Sequence, residues 1–325
     1  MQNAPCSIIV PLFNKVELTQ RCVAALVANT DPELFELVLI DNASSDATPE
    51  FCATLDPSVV VIRNDENLGF AKACNQGAAA ASAEHLMFLN NDTEVHPGWL
   101  EPLLAQLENP KVGAVGSKLL FPDGTIQHAG VVIVYNATHP AEFTATHYLY
   151  QAPADTPAAN RARPFQVVTA ASMLVRRSTF TALGGYDEGY WNGYEDVDLC
   201  LRIGERGEVV MFEPASVVTH IESASGPERF RKTNENVQRL FERWAGRVEF
   251  DLQYGLDGQL VADPHGLAVG ELSEPPVRLK SPDVGAWKRA PAIVRDREAT
   301  LEQIQTQREH DQLLAARGGS DVCWL

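Results

Sequence analysis

The chain has 325 residues, 45% of them hydrophobic and 21% charged, so it can build a packed core in one large domain or two smaller ones. Its formal net charge of −17 argues against a general nucleic-acid binder, and a polyphosphate ligand would need a metal ion or backbone N–H groups beside it. Six scattered cysteines without a C-x-x-C pair favour reduced thiols in a cytosolic protein, and we expect neither a signal peptide nor a membrane span.

Short apolar runs alternate with helical patterns over the first 110 residues. Strands are predicted at Ser7–Leu12, Leu37–Ile40, Val59–Ile62 and Leu86–Leu89, and the spacing in Lys15–Asn29 predicts a helix after the first of them. This alternation indicates βαβ units, an α/β fold and a mainly parallel sheet.

Polar side chains follow the fourth of these strands. The run Leu86–Leu89 is typical of a strand buried on both faces, and Asn90, Asn91 and Asp92 come directly after it. Ligands of open α/β sheets bind outside the carboxyl ends of the strands, and Asp92 offers a hard oxygen suited to a divalent cation. An Asx-rich turn explains the same residues without a ligand, so both interpretations stay open.

The regular alternation of strand and helix patterns ends after Lys111. A hairpin turn is predicted at Phe121–Ile126, a long surface loop at about 137–164, and an apolar strand at Gln166–Val175. Two further short strands are predicted, at Val209–Phe212 and Ser216–His220.

An aromatic and glycine-rich loop precedes a cluster of acids. Glu195, Asp196 and Asp198 fall in the first turn of a predicted helix, where the helix dipole alone would favour them. Helical spacing separates Asp196 from the face that Glu195 and Asp198 share, so the three acids cannot do one job. We expect Asp198 to have a structural role, paired with Arg202 at position i+4.

Six blocks along the chain resemble, in this order, the motifs of family-2 glycosyltransferases with the GT-A fold, and especially the bacterial branch called rhamnosyltransferase-like. The blocks are Val10–Asn14, Val38–Asp46, Asn67–Ala71 with Asn75 and Gly77, Phe88–Thr93, Gly184–Glu188 and Tyr194–Asp198. The resemblance covers roughly residues 5–245. It implies a GT-A nucleotide-diphospho-sugar transferase domain at 1–248, with a mainly parallel central sheet and helices on both faces.

The domain is expected to have two halves and a C-terminal extension. Residues 1–110 would form the nucleotide-sugar half and 111–248 the acceptor half. The extension, 249–325, has weak periodicity apart from a predicted helix at Thr300–Ala316. A homo-oligomer formed through that helix is one hypothesis for its role.

The resemblance also implies a donor site. In it Asp41 would bind a pyrimidine base, Pro11 and Asn14 would line the pocket, and Asn64 or Asp65 would lie near the base. The remaining expected nucleotide-sugar-binding residues are Gly69, Asn75, Asn90 and Asn91. A loop or helix-capping acid is the alternative interpretation of Asp41.

A divalent metal is expected beside the leaving diphosphate. Relatives usually carry Asp-x-Asp where this chain has Asn90, Asn91 and Asp92, so Asp92 remains as the expected ligand of Mn²⁺ or Mg²⁺. His220 follows an apolar strand where some relatives place a metal-binding histidine, and a hydrogen-bonded structural histidine is the alternative. A histidine ligand would favour Mn²⁺.

Catalysis is expected to invert the anomeric carbon. The resemblance assigns the base role to Asp196, with Glu195 contacting the acceptor or orienting the loop, and Trp191 and Tyr194 bind the acceptor. The expected donor is a UDP or dTDP sugar, and the acceptor is a saccharide, lipid-linked or protein hydroxyl. Transfer would take place in the cytoplasm or, by peripheral attachment, at the inner face of the membrane.

Three other functions were weighed. A catalytically degenerate nucleotide-sugar-binding or scaffold protein on the same fold would tolerate the loss of the first metal-binding acid. A dinucleotide-binding enzyme is disfavoured because no G-x-G-x-x-G follows the first strand. A sugar nucleotidyltransferase is disfavoured because no Gly-rich basic N-terminal loop is present.

Overall fold

The computed structural model describes residues 4–136, 143–221, 232–255 and 260–267. The predicted helix Thr300–Ala316, and with it the oligomer hypothesis, lies outside the described residues.

The first half has the predicted alternation of strands and helices. Its elements are β1 (Cys6–Leu12), α1 (Val16–Asn29), β2 (Phe35–Asp41), α2 (Thr48–Cys52), β3 (Val60–Arg63), α3 (Phe70–Ala80) and β4 (His85–Leu89). Strand β1 lies between β2 and β4 and is parallel to both, and β2 is parallel to β3. The carboxyl ends of all four strands therefore meet at one edge.

The second half extends this sheet. Its elements are β5 (Thr93–Val95), α4 (Leu100–Leu107), β6 (Val112–Leu120), β7 (Ile126–His128), β8 (Val131–Asn136), β9 (Thr144–His147), a 3₁₀ turn (Pro157–Asn160), β10 (Arg163–Phe165), β11 (Ser172–Arg176), α5 (Arg177–Ala182), α6 (Glu195–Glu205), β12 (Val209–His220), α7 (Thr233–Trp244), β13 (Leu252–Tyr254) and β14 (Leu260–Ala262). The large sheet has the order β10-β12-β6-β11-β4-β1-β2-β3, with β5 added on β12 and β7 on β6. Strand β11 is antiparallel to both β4 and β6, so the sheet is mixed.

The central strand β4 is buried on both faces, as its apolar run predicts. Leu86 and Phe88 belong to the core on the side of α3, whereas Met87 and Leu89 belong to the core under α1 and α4. Helix α3 packs closely on the sheet because Gly77 has no side chain: a Cβ there would lie 2.4 Å from Ile9. Helices thus cover both faces of the sheet.

Two local predictions were wrong. The region predicted as a long loop contains β9, the 3₁₀ turn and the start of β10, because its sparse apolar side chains, such as Phe143 and Leu149, are buried in the core. The two strands predicted at 209–212 and 216–220 are one strand, β12, whose pairing with β6 shifts register between Glu213 and Val217. The intervening Pro214 interrupts the apolar pattern without ending the strand.

A second, smaller sheet has the order β14-β13-β8-β9. Strand β13 is parallel to β8, and Asp251 Oδ2 accepts a hydrogen bond of 2.7 Å from the backbone N–H of Ile133. The hydroxyl of Tyr148 donates to the carbonyl of Leu267. The described residues after 248, which are 249–255 and 260–267, therefore pack on the second half, and the domain division at 248 stays a prediction.

In the described ranges, no helix combines the length and apolar character that crossing a membrane requires.

Candidate active site

Two predicted metal ligands lie side by side at the carboxyl end of β4. The chain runs from β4 through Asn90–Asp92 into β5, which pairs antiparallel with β12 so that Thr93 is opposite His220. The pairing of these two strands continues for one more residue, because the N–H of Ile221 donates to the carbonyl of Asp92 at 3.0 Å. It leaves Asp92 Oδ1 3.0 Å from His220 Nε2, with each side chain only 7% exposed.

This pair fits a divalent cation. A neutral imidazole nitrogen and a carboxylate oxygen repel each other at 3.0 Å unless a proton or a cation lies between them. Asn90 reaches the same nitrogen, with its Nδ2 3.3 Å from His220 Nε2. An imidazolium–carboxylate ion pair and a shared metal ion are thus the two states that the geometry accommodates.

The protein would supply few of the metal's ligands. Among the described residues, no group of three or more His, Cys, Asp and Glu side chains is placed to hold an ion. Mg²⁺ and Mn²⁺ commonly bind through one or two protein side chains, with phosphate and water oxygens completing the shell. Two ligands therefore suit a metal that arrives with a phosphorylated substrate better than a permanently bound structural ion.

Asn91, between the other two polar residues, faces another element. Its Nδ2 donates to Thr19 Oγ1 on α1 at 3.0 Å. The backbone of Asn90 is held by the carbonyl of Ala171 at 3.1 Å. Of the three residues at this strand end, Asn90 and Asp92 therefore contact His220, whereas Asn91 contacts α1. Nucleotide-sugar binding by Asn90 and Asn91 stays a prediction.

The expected base, Asp196, is tied to the same strand end. Its Oδ2 accepts from the N–H of Ala170 at 3.0 Å, and its Oδ1 accepts from the N–H of Val197 at 2.8 Å. Because Ala171, the next residue, binds Asn90, a single short segment contacts both the metal side and the base. The sequence separates Asp196 from Asn90 by more than a hundred residues, and the sheet brings them together.

Burial raises the pKa of the Asp196 carboxyl above its ordinary value, although hydrogen bonds from Ala170, Val197 and Thr169 oppose the shift. A carboxylate with a raised pKa is a stronger proton acceptor once it is ionised. General bases in enzymes are commonly tuned in this way. Asp196 thus combines a held position with enhanced basicity.

A loop of unusual backbone conformation leads into α6. Asn192, Gly193 and Tyr194 have φ values of 48°, 149° and 71°, which side chains rarely adopt. Glu195 Oε2 accepts a 2.6 Å hydrogen bond from the N–H of Gly193, and Glu195 is only 6% exposed. Of the two roles expected for Glu195, this contact fits loop orientation.

Asp198 has the predicted structural role. Its Oδ2 binds Arg202 Nε at 2.7 Å, and its Oδ1 accepts from Trp244 Nε1 at 3.0 Å. The Arg202 guanidinium also donates to the carbonyls of Leu183 and Gly185 at 3.0 and 2.9 Å. The pair joins α6 to α7 and to the glycine turn after α5, which confirms the prediction made from the i+4 spacing.

Trp191, an expected acceptor residue, lies against the expected donor loop. Gly69 has φ +82°, and a Cβ there would lie 2.8 Å from Cε3 of the Trp191 ring. The amide of Asn236 binds both the N–H and the carbonyl of Trp191, at 2.9 and 2.6 Å, and Lys232 Nζ is 5.6 Å from the ring centroid. The expected donor and acceptor sides therefore touch at this ring.

The residues expected to bind the pyrimidine of the donor cluster at the ends of β1, β2 and β3. Asp41 is 1% exposed, its Oδ1 accepts from Ser44 N at 2.8 Å, and its Oδ2 pairs with Arg63. Asn14 has φ 56° and accepts from the N–H of Ser45 at 2.8 Å. These contacts shape the loop after β2, as the alternative interpretation of Asp41 requires, while a carboxylate keeps further lone pairs for a ligand.

The other expected donor-site residues differ in their surroundings. Asn64 exchanges amide hydrogen bonds of 2.8 and 2.9 Å with Gln76, and Asp65 is exposed. Pro11 lies in β1 opposite Ile40. Asn75 binds the carbonyl and N–H of Tyr186, both at 2.9 Å, so its amide docks the second half on α3. Asn75 is thus better placed to join the halves than to bind a nucleotide.

Sequence reasoning missed several residues that organise this site. Gln127 binds His220, Asn192 binds the N–H of Phe70, and Asn236 binds Trp191. Each contact joins residues more than forty positions apart, so local spacing could not identify the partner. Gln127 gave no local signal either, because β7 is only Ile126–His128 and two of its three residues are polar.

The chain is similar in sequence to known glycosyltransferases. The family model "Glycosyl transferase family 2" matches residues 7–169. The O-antigen biosynthesis protein RfbC of Myxococcus xanthus is 40% identical over 67% of the chain, which spans only 17% of that protein's length. The N-acetylglucosaminyl-diphospho-decaprenol L-rhamnosyltransferase of Mycobacterium tuberculosis is 27% identical over 76% of the chain and 87% of its own length.

The crystal structure of GalNAc-T7 with UDP, GalNAc and Mn²⁺ superposes with a TM-score of 0.59 at 19% identity, over 76% of this chain and 49% of that one. At this identity the likeness concerns the fold alone. It confirms the expected α/β architecture of the GT-A type.

Proposed function

The chain belongs to glycosyltransferase family 2, in its bacterial rhamnosyltransferase-like branch, and on that premise we propose that it moves a sugar from a nucleoside-diphosphate sugar to an acceptor hydroxyl. The donor would be of the UDP or dTDP type. The observation that carries the proposal is the arrangement of Asp92, His220 and Asp196 around one strand end, joined through Ala170 and Ala171.

Asp92 and His220 would hold a divalent cation, Mn²⁺ or Mg²⁺, that offsets the charge developing on the leaving diphosphate. A strongly acidic chain needs such help to bind a diphosphate. The imidazole of His220 favours Mn²⁺ over Mg²⁺. The Mn²⁺ present in the GalNAc-T7 structure supports a divalent metal in this fold.

Asp196 would accept the proton of the acceptor hydroxyl. The hydroxyl oxygen then forms its bond to the anomeric carbon, while the bond to the diphosphate oxygen breaks and its electron pair leaves with the nucleoside diphosphate. Attack opposite to the leaving group inverts the anomeric carbon. The raised pKa of the Asp196 carboxyl supports this role because it makes the ionised group a better base.

The acceptor would lie on the side of Trp191 and Tyr194. An aromatic ring face packs well on a sugar ring, and the Trp191 ring already contacts the loop at Gly69. The names of two relatives, with O-antigen biosynthesis and a diphospho-decaprenol substrate, support a saccharide or lipid-linked acceptor. A protein acceptor stays in the proposal, because Polypeptide N-acetylgalactosaminyltransferase 13 of Rattus norvegicus is 28% identical over 73% of this chain. A place in the cytoplasm, at the inner membrane face for a lipid-linked acceptor, stays a prediction.

Thermal unfolding with UDP and dTDP sugars, each with and without Mn²⁺, tests donor binding. A ligand of the folded state raises the midpoint by mass action, and we expect the largest rise for one donor in the presence of Mn²⁺. Release of nucleoside diphosphate with candidate acceptors then tests transfer. Donor binding without release by any acceptor would favour the degenerate scaffold protein, and no rise with any nucleotide sugar would contradict the proposal.

A further inference from the structure

The hairpin of β6 and β7 carries a bulge at the back of the metal pair. Leu119 pairs with His128 but Leu120 pairs with Ile126, so Gln127 is an extra residue on β7. Bulges are common beside active sites, where they re-aim a side chain. Here the extra residue is a glutamine that is 2% exposed.

Gln127 makes two contacts with one residue, His220. Its Oε1 is 2.5 Å from His220 Nδ1, and its Nε2 donates to the backbone carbonyl of His220 at 3.3 Å. The second contact fixes which end of the amide is the oxygen, because a carbonyl can accept only from the NH₂ group. An amide oxygen cannot donate, so Nδ1 of His220 must carry the hydrogen.

The other ring nitrogen, Nε2, then faces the expected metal. With the hydrogen on Nδ1, Nε2 of the neutral ring presents its lone pair toward Asp92 Oδ1, 3.0 Å away. Metal-binding histidines commonly donate their second N–H to a carbonyl or carboxylate oxygen, which fixes the tautomer and the ring orientation. Gln127 supplies that oxygen.

The neighbouring residue holds the bulge in place. His128 Nδ1 donates to the carbonyl of Ser117 at 3.0 Å, and His128 Nε2 accepts from the N–H of Thr169 at 3.3 Å. Burial lowers the pKa of His128 to about 4, so the neutral ring can make both contacts at once. Thr169 adjoins Ala170, which binds Asp196.

We infer that Gln127 is a positioning residue that sets the tautomer and aim of His220 for a divalent cation. This inference rests on the proposed function, because it requires His220 to be a ligand. A glutamine that only satisfied buried polar groups would not need to bind the ring and the backbone of the same histidine. If Gln127 positions His220, replacing Gln127 should weaken metal binding rather than lower the stability of the fold in general.

The test compares Gln127→Met with Gln127→Glu. Methionine fills the space without accepting the Nδ1 hydrogen, whereas glutamate keeps an oxygen at that position. Mn²⁺ binding is measured on the full chain from the electron paramagnetic resonance signal of free Mn²⁺, and Mg²⁺ binding by competition. Gln106→Met is the matched control, since it removes a 2.7 Å hydrogen bond to Glu213 in the same strand as His220.

We expect Gln127→Met to weaken Mn²⁺ binding about 10- to 100-fold. Mg²⁺ depends on oxygen ligands, so its affinity should change by less than about threefold. Gln127→Glu should recover most of the Mn²⁺ affinity, and Gln106→Met should behave like the wild type. Equal Mn²⁺ affinities for the wild type and Gln127→Met, or an equal fall for both metals, would overturn the inference.

His220→Ala separates the inference from the function beneath it. If His220→Ala weakens Mn²⁺ binding and Gln127→Met does not, the inference fails and the proposed metal site stands. If the wild type takes up no Mn²⁺ either alone or with saturating UDP or dTDP, or if His220→Ala binds Mn²⁺ as tightly as the wild type under the same conditions, the proposed metal site fails and the inference fails with it.

Discussion

Asn192 Oδ1 accepts a hydrogen bond of 2.7 Å from the backbone N–H of Phe70, although 122 residues separate the two in the chain. Phe70 is the first residue of α3. The N–H groups in the first turn of a helix have no partner within the helix. The loop before α6 therefore caps a helix of the nucleotide-sugar half. The neighbouring Trp191 ring lies on Gly69 at the same point, so the expected donor and acceptor sides meet there.

Gly69→Ala should damage transfer more than stability. At φ 82° and ψ 171° the new side chain costs about 1–3 kcal/mol in backbone strain, and its Cβ would lie 2.8 Å from the Trp191 ring. We expect kcat/KM to fall about a hundredfold, because misplacing a substrate-contacting group by about 1 Å can cost that much. Steady-state kinetics and chemical denaturation measure the two effects.

Gly207→Ala is the matched control for that variant. Gly207 has φ +77°, but nothing lies within 4 Å of the position of its Cβ. The control should lose stability through backbone strain alone and keep its kinetics. Equal kinetic losses in both variants would show that backbone strain, and not the contact with Trp191, is responsible.

Asp196 should give transfer an acid limb at unusually high pH. The base must be ionised, and its pKa is raised by burial, so kcat/KM should fall as the pH drops through that raised pKa and not at the pKa of an ordinary aspartate. The same shift makes the stability contributed by this group greatest below the ordinary pKa and lost as the pH rises through the raised one. A pH profile of kcat/KM checks the kinetic effect.

Asp196→Asn should abolish transfer while donor binding, measured by thermal shift, persists. The substitution keeps the size of the side chain and removes the proton acceptor. Full activity in this variant would rule out Asp196 as the base, and an acid limb at the ordinary aspartate pKa would contradict the raised pKa of its carboxyl.

Asp198→Asn should lower the free energy of unfolding by about 3–5 kcal/mol, because it leaves the buried guanidinium of Arg202 without its charged partner. Urea denaturation measures the loss. Arg206→Gln breaks an ion pair with Glu208 in which Arg206 is 42% exposed, and should cost less than about 1 kcal/mol. A similar small loss in both variants would mean that Asp198 does not join α6 to α7 as its contacts indicate.

The sequence predicted those features that depend on neighbouring residues. The apolar run Leu86–Leu89 identified a strand buried on both faces, and the i+4 spacing of Asp198 and Arg202 identified their ion pair. The family resemblance suggested both Asp92, in a matching block, and His220, after an apolar strand, as metal ligands. The structure brings their side chains together, while their binding of a metal stays a prediction.

Features that depend on distant partners could not be read in this way. Gln127 and His220 are 93 residues apart, and only the bulge in β7 turns one toward the other. The amide of Asn75 belongs to a matching family block, yet it binds the backbone of Tyr186, 111 residues away. Composition also concealed β9 and β10, since few large apolar residues mark them.

Strand β13 (Leu252–Tyr254) protects an edge of β8. Strand β8 is shielded on one side by β9 and on the other by β13. Its Val131–Val134 segment is a continuous apolar β-branched run. A chain shortened to end at 248 would uncover one side of that run, with unpaired backbone groups ready to recruit a strand from another molecule. By pairing with β8, strand β13 thus reduces the tendency of the protein to aggregate.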